Sequence, residues 1–160
     1  MKKISAFILL AFLAACTSGE LTDISEECII ENPFSHPCFY GFAEADSGEV
    51  IITSEEEYAA FVEIIRLNLY NVDCDTVAVP EIDFSNYSLI GTYTSGGGCD
   101  VEYDRQVFRN SAEKKVVYRI RVSYSGSCEM LIFSMNWALI PRLPRHYQVE
   151  FDVSQDYSNN

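Results

Sequence analysis

Two periods of apolar residues divide the body of the chain. Tyr58, Phe61, Val62, Ile65 and Leu69 recur at the spacing of one helix face. Ser54-Glu55-Glu56-Glu57 in front of them fits a capping box, in which the Ser54 hydroxyl accepts from the Glu57 amide and the Glu57 carboxylate reaches back. Three acids in a first turn also suit the positive end of the helix dipole. The helix is expected to end near Leu69 or Tyr70, followed by loop from Val72 to Glu81, and Glu49–Thr53 reads as a short strand before it. From Ile82 on the period is two. Tyr87, Leu89 and Tyr93 alternate with Ser88, Thr92 and Thr94, and Val101–Arg109 is a mixed strand. Val116, Tyr118, Ile120, Val122 and Tyr124 form one face of the next run, with Arg119, Arg121 and Ser123 on the other. Leu131, Phe133, Met135, Trp137 and Leu139 share a face, and so do Tyr147, Val149, Phe151 and Val153. The connections, 95–98, 110–115, 125–129 and 141–145, are short, which argues for antiparallel neighbours. The expected fold is α+β: a curved antiparallel sheet of five or six strands with one covering helix. It should occupy residues 49–153 as a single domain, with a polar tail over 154–160.

The N-terminus follows neither period. Met1-Lys2-Lys3 is cationic, and Ile4 to Leu13 is almost wholly apolar but too short for a hydrocarbon core, which needs about 20 residues. A basic head, a short apolar middle and small residues at the end make a secretory signal. Leu13-Ala14-Ala15-Cys16 resembles the lipobox of bacterial lipoprotein precursors. The resemblance implies cleavage before Cys16 (residues 1–15 being the signal peptide), a thioether-linked diacylglycerol on Cys16, and a further acyl chain such as palmitate on the new amino group. With an aspartate after the cysteine such lipoproteins are held at the inner membrane; Thr17 stands there in this chain, which points to the outer membrane. Residues 16–48 are polar and acidic and read as a lipidated tether.

Composition narrows the function classes. With 48% hydrophobic and 13% aromatic residues the chain can bury a proper core. Its formal charge of −13 becomes −15 without Lys2 and Lys3, which argues against nucleic acid, whose phosphates need Lys and Arg. The charge is uneven: between Cys16 and Asp104 only Arg66 is basic, whereas from Arg105 onward eight basic residues stand against five acids. Arg119 and Arg121 share a sheet face, and Arg109, one strand back, is expected beside them. The three arginines, with Gly96, Gly97 and Gly98 at the rim, form a candidate surface for an acidic partner segment, since arginine pairs with carboxylates in two bonds. The competing reading is a solvated face neutralised by the chain's own acids.

Cys16 apart, five cysteines remain, and outside the cytoplasm disulfides are the default. In an up-and-down sheet the 96–99 and 125–129 turns lie at one end, so Cys99 and Cys128 are expected to meet, with α-carbons within about 7 Å. Cys28, Cys38 and Cys74 then allow one more bridge, with Cys38–Cys74 favoured, and an odd thiol. No spacing is Cys-x-x-Cys. Ser95-Gly96-Gly97-Gly98 lacks the Gly-Lys-Ser/Thr ending of a phosphate loop and is better read as a turn needing positive φ, or as backbone kept bare for close approach. His36 and His146 are far apart, no Gly-x-Ser-x-Gly is present, and Asp73-Cys74-Asp75 is too short for a calcium loop. No catalytic residue, cofactor or metal is expected.

One further likeness covers residues 49 to 153. "TSEEEYAAF", "IDFSNYSLIGTYTSGGG" and "WALIPRLP" resemble the C-terminal domain of the PrcB family of protease-complex subunits. That resemblance implies a non-catalytic accessory role, binding or stabilising another exported protein, and transfers no catalytic residues. Cys99, Cys128 and the cysteine-bearing N-terminal segment depart from it. The alternatives are an envelope protein that takes a small ligand or glycan in a sheet-lined pocket, and a carboxylate-based hydrolase.

Overall fold

Five strands of eleven residues each carry most of the fold: β3 (Tyr87–Gly97), β4 (Asp100–Asn110), β5 (Lys115–Ser125), β6 (Leu131–Pro141) and β7 (Gln148–Ser158). The shorter β1 (Thr22–Asp23) and β2 (Glu49–Ile52), a 3-10 turn at Ser25–Glu27 and helix α1 (Glu55–Leu67) complete it. The structure is a computed structural model that describes residues 19–30, 34, 48–67 and 78–158.

The α+β class is as expected, but the sheet is divided into a four-stranded sheet, β1-β4-β5-β7, and a three-stranded sheet, β2-β3-β6. The division comes from one long hairpin folded on itself. Its first arm runs through β3 and β4, its second through β5 and β6, and the arms pair antiparallel in both halves, Tyr87↔Pro141 to Gly97↔Leu131 and Asp100↔Ser125 to Asn110↔Lys115. The first arm bends across only Gly98-Cys99, whereas the second takes the longer path Gly126–Met130. Main-chain bonds hold the bend, Cys99 N–H to Ser125 O at 2.7 Å and Gly98 N–H to Met130 O at 3.1 Å. The expected Cys99–Cys128 disulfide is formed there, with Cα–Cα 4.9 Å. Gly126 has φ +82°, and a Cβ on it would also fall 2.5 Å from Cys99 Sγ, so no other residue fits this position well. β7 returns from the three-stranded sheet to lie parallel to β5, the one departure from antiparallel pairing.

Two apolar layers result. Between the sheets, Tyr118, Ile120, Val122 and Tyr124 of β5 meet Ile90, Ala138 and Ile140. On the other face of the three-stranded sheet, Leu89, Trp137 and Ile52 pack against Tyr58 and Phe61 of α1 and against Phe34, with the Trp137 ring 5.0 Å from Phe34 and 5.7 Å from Phe61. Burying each such side chain contributes about 1.5–3 kcal/mol. β3 is thus covered on both faces. Its Ser88, Thr92 and Thr94, which alternation alone assigns to solvent, are buried toward the second sheet. Helix capping is as expected on one side: the Glu57 amide donates to Ser54 Oγ at 3.2 Å. The reciprocal arm falls one residue earlier, Glu57 Oε2 accepting from the Thr53 amide at 2.7 Å, which holds the Glu57 carboxyl below its ordinary pKa.

The N-terminal segment is a second departure. Residues 19–30 do not form part of a free tether but staple the two sheets together. Thr22 and Asp23 pair with Arg109 and Phe108, Ile24 N–H donates to Val107 O at 2.8 Å, and Ile29 exchanges both main-chain bonds with Leu139 of the other sheet. Asp23 Oδ1 accepts from the Ser25 amide and hydroxyl to make the corner, and Ile24 is buried in the inter-sheet core. The folded unit therefore extends below residue 49 and, through β7, beyond residue 153.

Candidate functional site

The outer face of the four-stranded sheet carries Arg119 and Arg121, as their alternation with Tyr118 and Ile120 requires. Both are answered by the chain itself. Arg119 Nε lies 2.8 Å from Asp152 Oδ2 with its guanidinium 4.7 Å over the Phe108 ring, and Arg121 is 3.8 Å from Asp104. Lys115 sits 2.7 Å from Glu150. With these partners, Asp100, Glu102 and Asp156 share the face by register, so carboxylates outnumber cations on it. Exposed pairs of this kind contribute about 0–1 kcal/mol each. Arg109 is not beside them. It stands in register with Val116, a core position, and so lies on the opposite face of the sheet. The glycines also differ from expectation. Gly96 and Gly97 belong to β3, and none of Gly96, Gly97 and Gly98 has positive φ. Gly96 gives room to the Tyr124 ring, which a Cβ would meet at 2.3 Å; Gly98 lies under Ser125 at the bend, and Gly97 is open. Close approach by another strand's side chain, rather than turn geometry, accounts for Gly96.

At the bend lies an uncovered apolar surface. Leu131 and Phe133 have the same parity on β6 as Trp137 and Leu139, so they continue the face that α1 covers. The helix as described is about 20 Å long, at 1.5 Å per residue, whereas β6 is about 36 Å long. Leu131 and Phe133 accordingly remain 65% and 59% exposed, with Met130 beside them at 51%. Tyr93 stacks on Phe133 at 6.2 Å. On the other sheet at the same end, exposed Tyr157 stacks on Tyr124 at 5.3 Å.

Between the sheets a polar cluster interrupts the core, and alternation of apolar residues gave no signal for it. Asn136, fully buried, donates to Thr94 Oγ1 at 3.0 Å and accepts from Arg105 Nε at 3.0 Å, and Arg105 lies 4.6 Å over the Tyr103 ring. The Tyr118 hydroxyl donates to Trp137 O at 3.3 Å, and burial raises its pKa well above the ordinary tyrosine value. The hydroxyls of Tyr103 and Tyr124 are buried with no hydrogen-bond partner among the described residues. Carboxyls with displaced pKa values move downward: Asp83 through the Ser85 hydroxyl and Asn86 amide, Asp23 through Ser25, Glu57 through Thr53. No group of three or more metal-ligating side chains occurs among the described residues. Cys28 is a free, half-buried thiol donating to Ile24 O at 3.2 Å, and burial, aided by Glu27, pushes its pKa up to about 11.

Cys16, Cys38 and Cys74 lie outside the described residues. Among the described residues no helix is long and apolar enough to cross a membrane. No family model, curated protein or solved structure matches the chain.

Proposed function

We propose that the chain is a lipoprotein anchored through acylated Cys16 to the outer membrane and serving as a non-catalytic accessory module that binds another exported protein. The observation that carries the reading is the apolar surface at the bend. Leu131 and Phe133 sit on a sheet strand, next to a disulfide and outside both core clusters; exposed apolar groups so placed are characteristic of a protein-binding surface. This surface replaces the arginine face, whose cations are already paired. The likeness to the PrcB C-terminal domain points the same way. A carboxyl of raised pKa would favour a hydrolase; among the described residues the displaced carboxyls, Asp23, Glu57 and Asp83, move downward. The buried, unpartnered hydroxyls of Tyr103 and Tyr124 favour a second reading, a small polar ligand held between the sheets.

The deciding experiment is a crosslinking pull-down from intact membranes, comparing wild type with a Leu131→Ser/Phe133→Ser variant. The variant should melt within about 5 °C of wild type, since surface changes usually cost under ~0.5 kcal/mol each and ~1 kcal/mol moves the melting point of a domain of this size by a few degrees. It should also lose a protein that the wild type retains. An unchanged set of co-purifying proteins would eliminate the bend as the binding surface.

A further inference from the structure

We infer that the end of the sandwich bearing the β4–β5 turn rests on the lipid surface, with Lys114, Arg142 and Arg145 against anionic phospholipid headgroups. The inference depends on the anchor reading of Cys16. Gly19 is fixed to that turn: its carbonyl accepts from Asn110 Nδ2 at 3.0 Å, and a Cβ on it would fall 2.2 Å from Asn110 Oδ1 and 2.7 Å from the Ala112 Cβ. Asn110 is 4% exposed, and its Oδ1 also accepts from the Glu113 amide at 3.0 Å. One buried side chain therefore holds both the turn and the incoming chain. Cys16 precedes Gly19 by three residues, and three peptide steps reach at most about 11 Å. Acyl chains on Cys16 thus keep the turn within about one Debye length of the headgroups.

The distribution of cations agrees. Lys115, Arg119 and Arg121 on the sheet face each have a carboxylate within ion-pair range. Lys114, Arg142 and Arg145 are exposed and have none among the described residues. All three stand at this end of the sandwich. The Gln148 amide donates to the Lys114 carbonyl at 2.9 Å, which seats the connection from β6 to β7 beside the turn, and the Arg142 amide donates to Asn86 O at 2.8 Å. Glu20, Asp83 and Glu113 share this end, Asp83 capping the turn through Asn86 and Glu113 lying 3.7 Å from Lys115, and the helix-start acids Glu55, Glu56 and Glu57 flank it beyond the three-stranded sheet. A cation near an anionic membrane surface gains roughly fivefold in partitioning. The same orientation directs Leu131 and Phe133 away from the membrane, about 36 Å up the strands.

Lys114 and Lys115 are the only lysines after Cys16, which makes the test direct. The full-length acylated protein is reconstituted in phosphatidylcholine vesicles with and without phosphatidylglycerol, and in detergent. Each sample is pulsed with an amine-reactive reagent and read by peptide mass, including the acyl mass on the Cys16 peptide. Lys114 should react about fivefold more slowly in phosphatidylglycerol vesicles than in the other two, with the protection lost at high salt and in an Arg142→Ser/Arg145→Ser variant. Equal Lys114 reactivity in all three media, on a chain that carries the acyl mass, would overturn the lipid-facing end alone. A mature chain without acyl mass on Cys16 would overturn the anchor and the inference together.

Discussion

Gly91 is a position where adding one methyl group should do harm. It sits in β3 directly opposite Trp137, and a Cβ there would lie 2.4 Å from Cε3 and 2.6 Å from Cζ3 of the indole. Van der Waals contact needs about 3.5–4.0 Å, so ring or strand must move by roughly 1 Å. The ring has nowhere to go: Trp137 is 2% exposed, with Phe34 and Phe61 packed against it. Gly91→Ala gains about 0.4–1 kcal/mol from a stiffer unfolded chain, because the native φ is not positive. Overpacking costs about 1–3 kcal/mol, or more where the neighbour is hemmed in. The net expectation is a loss of up to about 2.5 kcal/mol, read as a fall in urea midpoint without a change in slope. Gly97→Ala supplies the control in the same strand, since the nearest atom to its Cβ is Met130 O at 3.8 Å; this variant should be neutral or slightly more stable. Trp137→Leu combined with Gly91→Ala should recover part of the clash, giving a coupling of at least ~0.5 kcal/mol in the double-mutant cycle. Equal midpoints for Gly91→Ala and Gly97→Ala would refute the packing account of these glycines.

The remaining expectations concern the staple, the bridge and the free thiol. Ile24→Ala removes a buried side chain from the segment that joins the sheets and should cost about 2–4 kcal/mol in chemical unfolding; a cost below ~1 kcal/mol would mean that the staple is not part of the core. Replacing Cys99 and Cys128 by Ser opens a bridge with sequence separation 29, worth about 3–4 kcal/mol in the chain-entropy model, and unfolding midpoints with and without the bridge measure it. Because the Cys28 pKa is raised from 9.0 to about 11, the folded state keeps a proton that the unfolded state releases. The Cys28 contribution should therefore be level below pH 9 and fall between 9 and 11, and Cys28→Ala should remove it, leaving the fall above pH 10 that buried Tyr58 and Tyr118 add. In the folded protein at pH 7.5, the same thiol should resist iodoacetamide until denaturant is added.

Most of the elements were legible because their signals are local. The Ser54–Glu57 cap, the helix stripe through Phe61 and the alternation in β4 to β7 depend on neighbours a few residues apart. The Cys99–Cys128 bridge was expected from an up-and-down sheet with hairpin turns at 96–99 and 125–129; the two residues do meet, but across the bend of a folded-over hairpin, because β3 pairs with β6 and not with β4. What escaped depends on what a strand faces. Ser88, Thr92 and Thr94 have the pattern of a wet face, but a second sheet covers them; Thr94 Oγ1 accepts from Asn136 and donates to Ser134 O, and Ser88 Oγ accepts from the Leu143 amide. Arg109 has the same spacing from β5 as many outward residues, and only the register Arg109↔Val116 turns it inward. Residues 19–30 carry Glu20, Asp23, Glu26 and Glu27, and those acids outweighed the apolar positions Ile24, Cys28 and Ile30 that dock them, which follow no single period. The exposure of Leu131 and Phe133 goes with a described helix, Glu55–Leu67, shorter than the strand beneath it, a mismatch that no window of sequence displays.

The folded-over hairpin also sets an order of assembly. The inner pairs, from Asn110↔Lys115 outward to Asp100↔Ser125, close from a short turn, whereas Tyr87↔Pro141 joins residues far apart in the chain and is entropically dear until the interior has closed. Zipping the inner half brings Cys99 and Cys128 together midway along the hairpin, before the outer half exists. In an oxidising compartment the bond would then form on a half-built protein and act as a ratchet: the inner hairpin could no longer fully reopen, and Gly97↔Leu131 would start the second sheet from a closed end. Chains held reduced should consequently complete the inner hairpin at the usual rate and stall at the outer one.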